Sequence, residues 1–116
     1  MIISYDLDGT ITDNPELAQV ANAMQAMGHR NIVLTGRKSE TGIRELLQSA
    51  GFPEDTEIIT KENHSGTTRD FKSKMLQQVG ADWHFDNDEN LNLPQWHPTR
   101  VLTFQKNRLK FGSVRR

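Results

Sequence analysis

The chain has 116 residues with 34% hydrophobic and 7% aromatic side chains and a formal net charge of −1, which fits one domain with a modest core and leaves no whole-molecule field for nucleic acid. It contains no cysteine, which excludes disulfides, a disulfide-linked partner, zinc–thiolate centres and cysteine nucleophiles, and which suits a reducing compartment. The opening MIISYDLDG carries no basic region ahead of a long apolar run, and no stretch is long enough to span a bilayer, so a cytoplasmic protein away from membranes is expected.

Met1 to Tyr5 reads as a short buried strand, followed by a polar turn from Asp6 to Asn14. Asn14 is a suitable N-cap and Pro15 suits the first position of a helix, in which Leu17, Val20, Ala21, Met24 and Met27 recur at helical spacing until Gly28. Asn31 to Leu34 is a second strand, running into Thr35-Gly36-Arg37. A second helix is expected from near Ser39, with Ile43, Leu46, Leu47 and Ala50 inward and Gly51 as its stop, and Glu57 to Thr60 is a third strand. Beyond the polar stretch Lys61 to Gly66, a third helix carries Phe71, Met75, Leu76 and Val79 and ends at Gly80. Trp83 to Phe85 is a fourth strand ending at Asp86, Asn87 to Pro98 a polar loop, and Arg100 to Phe104 a fifth strand, with Leu109 to Phe111 as an edge strand.

This alternation at short spacing predicts parallel strands joined by right-handed crossovers, an α/β, Rossmann-like three-layer sandwich with about five mostly parallel strands in a single domain spanning 1–116. In such sheets ligands gather outside the carboxyl ends of the strands. There the first strand ends in Asp6 and Asp8, the second in Thr35 and the fourth in Asp86. Two carboxylates at one strand mouth are costly to hold without a cation, and a hard divalent ion such as Mg²⁺ answers that with carboxylate, phosphate and water oxygens. The plain alternative is an Asp-Gly turn with a solvated spare carboxylate. A calcium loop counted from Asp6 fails, because its twelfth position is Leu17 where a bidentate Glu is required. The four histidines have no metal-ligand spacing, and His84, inside a strand, is expected to pack or to support site residues.

Tyr5-Asp6-Leu7-Asp8-Gly9-Thr10 resembles the first motif of the haloacid dehalogenase superfamily of phosphotransferases. The resemblance implies that Asp6 attacks phosphorus to form an aspartyl-phosphate and that Asp8 protonates the leaving oxygen and then activates water. A dehalogenase proper lacks the second acid. Asn31-Ile32-Val33-Leu34-Thr35-Gly36-Arg37 is similar to the second motif, which implies that the Thr35 hydroxyl and the Gly36 amide bind phosphate oxygens; Arg37 is either a further phosphate contact or a surface charge. The third motif, a lone cation on the helix before the fourth strand, has two candidates. Lys72 falls between Phe71 and Leu76 on the apolar face and is favoured over Lys74, which points away. The fourth motif is matched by Phe85-Asp86-Asn87-Asp88-Glu89-Asn90, and the resemblance implies Asp86 and Asn90 as ligands of Mg²⁺ beside Asp6 and Asp8. The adjacent acid common in the family is Asn87 here, with Asp88 as a substitute.

Larger family members insert a cap domain, for which the segments after Asp8 and between Thr35 and Lys72 leave no room. The resemblance therefore implies a capless, open site, suited to a phosphorylated substrate such as a nucleotide or a nucleic-acid end. The acid-free basic tail, with Lys106, Arg108, Lys110, Arg115 and Arg116, and Arg69 point the same way. The alternative is a catalytically weak or inactive module that binds phosphate or metal and works with a partner protein. A phosphoacceptor receiver domain shares an Asp, a Thr and a Lys but places its acceptor after a later strand.

Overall fold

The computed structural model describes residues 1–91, 93–105 and 108–110. Its strands are β1 (Ile2–Tyr5), β2 (Arg30–Leu34), β3 (Glu57–Ile59), β4 (Trp83–Asp86), β5 (Arg100–Gln105) and β6 (Arg108–Lys110), and its helices α1 (Leu17–Ala26), α2 (Ile43–Ala50) and α3 (Thr68–Val79). One sheet has the order β3-β2-β1-β4-β5-β6. The first five strands are parallel, and β6 returns antiparallel on β5. The expected three-layer α/β architecture is thus what the chain adopts. The expected edge strand is β6, with Phe111 outside the described residues, as are Lys106, Arg115 and Arg116 of the basic tail.

Alternation along the strands divides the side chains between two apolar layers. Ile3 and Tyr5 of β1 and Val33 of β2 pack with Leu17, Ala18 and Ala21 of α1, Ile43 and Leu47 of α2, and Phe52. On the opposite face Leu34 and Val101 pack with Phe71 and Leu76 of α3 and with Ala81, Leu91 and Leu93. Tyr5 stacks on Phe85 at 5.5 Å between ring centroids, and its hydroxyl is satisfied by Asn31 Oδ1 at 2.8 Å. Where a further helix could join β4 to β5, the loop itself covers the sheet. His97 Nε2 reaches the Ser73 carbonyl at 2.9 Å, and the Thr99 hydroxyl donates to the Ala81 carbonyl at 2.6 Å. The polar loop thus also carries part of the core, through Leu91 and Leu93.

Several boundaries differ from the sequence reading. α1 begins at Leu17, because the buried Asn14 side chain donates to the Thr10 carbonyl at 2.9 Å and ties down the preceding turn instead of capping the helix. Met27 falls beyond the last helical residue and is exposed. α2 starts at Ile43, since the Ser39 hydroxyl accepts from the Thr41 amide at 3.1 Å and holds that segment as a local turn. Among the described residues, the β1–β2 connection holds one short helical turn (Leu7–Ile11) and α1, and the β2–β4 connection holds α2, β3 and α3, with no inserted cap. No helix among them is long and apolar enough to cross a membrane.

Candidate active site

The site forms where β1, β2 and β4 end side by side. Ser4 pairs with His84 in the parallel β1–β4 register, and the Asp6 amide extends the ladder by donating to the Phe85 carbonyl at 2.8 Å. Residues two apart on a strand share a face. Ser4 and Asp6 on one strand, and His84 and Asp86 on the next, therefore all face α3. Lys72 comes down from that helix, in its second turn.

Lys72 Nζ donates to Asp6 Oδ1 at 2.7 Å and to Asp86 Oδ2 at 2.8 Å, and the side chains of Lys72, Asp6 and Asp86 are 7%, 7% and 0% exposed. Lys74, by contrast, is exposed. His84 Nε2 also reaches Asp86 Oδ2 at 2.8 Å, while the other Asp86 oxygen accepts from the Asp88 amide at 2.9 Å. Asp6 Oδ2 accepts from the Thr10 hydroxyl at 3.0 Å. Two buried carboxylates thus share one buried ammonium.

Their environments separate them. Burial pushes the Asp6 carboxyl above the ordinary carboxylate range; the Lys72 charge opposes this and the neighbouring Asp86 charge reinforces it. Burial works against ionised Asp86 too, but the His84 hydrogen bond, joined by the Lys72 charge and hydrogen bond, outweighs it and holds that carboxyl well below the usual range. Burial would also neutralise Lys72, yet Asp6 and Asp86 together hold its ammonium protonated beyond the usual lysine range.

Asp8 does not join this buried group. Asp8 (φ −73°, ψ 123°) and Gly9 (φ 82°, ψ −11°) occupy the central positions of a type II turn, which carries the Asp8 carboxylate outward. There it is 55% exposed and meets Arg37 in a two-point contact, Nε to Oδ2 at 2.9 Å and Nη2 to Oδ1 at 2.7 Å. The expectation that both carboxylates face one small volume is corrected: their carboxylates diverge because the turn lies between them. Gly9 is needed for the positive φ and for space, since a Cβ there would stand 2.3 Å from the Asn87 amide.

Thr35 is buried directly after β2, and its hydroxyl oxygen accepts from the Arg37 amide at 3.2 Å. A Cβ on Gly36 would lie 2.7 Å from Thr68 Cγ2, so this glycine lets the loop after β2 close onto the first turn of α3. The α3 start is fixed by Thr67, whose side chain accepts from the Asp70 amide. Beyond Arg37, the ends of β2 and β3 enclose an open groove lined by Lys38, Lys61, Asn63 and His64, with Glu62 as its acid.

Among the described residues, no three His, Asp or Glu side chains converge as a metal-ligand set. The oxygens that do converge are of mixed kind. One terminal atom of the Asn87 amide lies 2.9 Å from Asp6 Oδ2 and 3.3 Å from the Asp8 carbonyl oxygen. Two acceptors at those distances call for the amide nitrogen as donor. If the amide turns its oxygen inward, they call for a cation among one carboxylate, one carbonyl and one amide oxygen, a hard set that suits Mg²⁺. Asn90 lies on the exposed side of the loop, where its amide donates to Asp88 Oδ1 at 2.9 Å. Asn87, not Asn90, reaches Asp6. Asp86, with its oxygens engaged by Lys72, His84 and the Asp88 amide, stands as the counter-ion of Lys72. Asp88 pairs with Arg69 at 3.0 Å, so that arginine is an exposed loop anchor.

Sequence reasoning left Ser4 and Thr10 without roles, and it named Asn87 only as standing where the family commonly has an acid. The signal for Ser4 was present: Ser4/Asp6 and His84/Asp86 repeat polar residues with period two inside otherwise apolar strands. Comparisons with protein-family models, with curated proteins and with solved structures return no match for this chain.

Proposed function

We propose that the chain is a magnesium-dependent phosphate-monoester hydrolase of the haloacid dehalogenase type, acting through an aspartyl-phosphate on Asp6. The observation that carries this reading is the buried Lys72 ammonium held between Asp6 and Asp86 at the mouth of parallel strands. A strand-end carboxylate kept in place by a lysine is poised as a nucleophile, and the same ammonium offsets charge on an incoming phosphate.

In this reading Asp6 attacks phosphorus and the bond to the leaving oxygen breaks. Asp8 gives that oxygen a proton, then takes one from the water that hydrolyses the aspartyl-phosphate and releases inorganic phosphate. The phosphate competes for Arg37, and so frees Asp8 from its ion pair for this work. The Thr35 hydroxyl and the Gly36 amide donate to phosphate oxygens. Asp6, the Asp8 carbonyl and Asn87 would hold Mg²⁺, which supplies positive charge against the phosphate oxygens when bound. The absence of a cap among the described residues, the basic tail of the sequence and the lysines of the neighbouring groove support a nucleotide or nucleic-acid end as substrate.

A second reading, a weak or inactive phosphate- or metal-binding module that works with a partner, is favoured by the Asp8–Arg37 pair and by Asn87 in place of an acid. Phosphate release from an aryl phosphate, with Mg²⁺ or with chelator, separates the two. Activity that requires both Mg²⁺ and Asp6, and so is lost in Asp6→Asn, is expected. Metal binding without turnover on aryl phosphates, nucleotides or phosphorylated oligonucleotides would overturn the hydrolase reading.

A further inference from the structure

His84 is fully buried in the middle of the sheet, yet both ring nitrogens are engaged: Nδ1 with Ser4 Oγ at 2.8 Å and Nε2 with Asp86 Oδ2 at 2.8 Å. A neutral imidazole between a hydroxyl and a carboxylate has one tautomer that satisfies both ring nitrogens, because the carboxylate only accepts. Nε2 carries the hydrogen and donates to Asp86, while Nδ1 accepts the Ser4 hydroxyl proton. An aliphatic residue would fill the same core position at less desolvation cost if filling were its only duty. The chain continues without a gap, because the same Asp86 oxygen holds Lys72, and Lys72 holds Asp6.

We propose that Ser4 and His84 are a positioning pair for the candidate active site: Ser4 holds the His84 ring in place through Nδ1, His84 fixes the Asp86 carboxylate, and Asp86 thereby holds the Lys72 ammonium against Asp6. Neither residue touches substrate. The arrangement is cooperative in a physical sense. Asp86 is anchored from below by His84 and at its other oxygen by the Asp88 amide, so Lys72 meets a carboxylate that cannot swing. Without His84, the Asp86 oxygen that faces Lys72 loses its second anchor, and the placement of Lys72 against Asp6 loosens. As a catalytic claim, this rests on the phosphohydrolase reading. As a claim about where Lys72 sits, it does not.

The test uses the full chain as wild type, Ser4→Ala, His84→Leu and His84→Gln, since a glutamine amide nitrogen can stand in for Nε2. Two quantities are read: kcat and KM for an aryl phosphate with Mg²⁺, and the NMR signal of the Lys72 ammonium, assigned with Lys72→Arg. Supports of this kind typically contribute about 10–100-fold, so His84→Leu is expected to lower kcat by about that factor with KM little changed. His84→Gln recovers most of the loss, and Ser4→Ala falls between. The Lys72 signal shifts in His84→Leu and returns in His84→Gln. An unchanged kcat and unchanged Lys72 signal in folded His84→Leu overturns the proposal, as does a loss that His84→Gln leaves unrepaired. If wild type turns over neither the aryl phosphate nor nucleotides nor phosphorylated oligonucleotides, the hydrolase reading fails and the Lys72 signal alone decides the positioning. If His84→Leu does not fold, the Ser4→Ala and His84→Gln signals decide it.

Discussion

Replacing Lys72 by methionine keeps much of the side chain's bulk and removes its charge. Asp6 and Asp86 are then left as two buried carboxylates with their shared cation gone, at side-chain exposures of 7% and 0%. Removing one partner of such a buried pair costs about 3–5 kcal/mol, because the partner's desolvation is no longer offset. With roughly 2.1 cal/mol/K of unfolding entropy per residue over 116 residues, that loss lowers Tm by roughly 12–20 °C. The deficit should shrink as pH falls. Asp6 already lies above the ordinary carboxylate range, and protonating it removes the unpaired charge. Adding Asp6→Asn to Lys72→Met should likewise restore about 1 kcal/mol or more, as coupled neighbours do. Calorimetric or denaturant unfolding of the wild type, the two single variants and the double variant at two pH values measures all of this. A Lys72→Met loss below about 1 kcal/mol, the range of an exposed pair, would refute the buried three-residue arrangement. So would an Asp6→Asn effect that simply adds to it.

Two further outcomes follow from the same geometry. The Asp86 carboxyl sits below its unfolded value of about 3.9, so the folded chain binds fewer protons than the unfolded one; that stability is present above about pH 4 and is lost as pH falls further. Asp86→Asn should therefore flatten the acid side of the stability–pH curve, and an unchanged slope below about pH 4 would contradict the Lys72 and His84 contacts. The raised Asp6 acts with the opposite sign, costing stability above its folded value and relieving it below. Gly9→Ala forces a side chain into positive φ, about 1–2 kcal/mol, and onto Asn87, and should also weaken Mg²⁺ affinity measured by calorimetry. Wild-type stability and affinity in that variant would show that the turn does not hold Asn87 against Asp6.

Most of the architecture was legible in the chain because apolar periodicity and glycine stops are local signals. The strand ends at Asp6, Thr35 and Asp86 followed from it, since a parallel sheet brings its carboxyl edges together. Lys72 could be told from Lys74 by helical phase alone, because 100° per residue places one beside Phe71 and Leu76 and the other in solvent. Other features depended on long-range geometry. Asn14 has the composition of a cap, but burial made its amide a tie to Thr10. Asp6 and Asp8 are two residues apart in sequence, and only the type II turn at Asp8–Gly9 decides that one is buried and the other pairs with Arg37.

The sequence by itself determined the order of strands and helices, the edge where polar strand ends collect, and the helix face that carries Lys72, because each is written in the spacing of neighbouring residues. Tertiary structure alone decided that Asp86 shares the lysine with Asp6, that Asn87 rather than Asn90 reaches Asp6, and that His84 joins Ser4 to Asp86. Those contacts join residues up to 81 positions apart. Strand register and the desolvation of the groups set them, and neither is a property of any local segment.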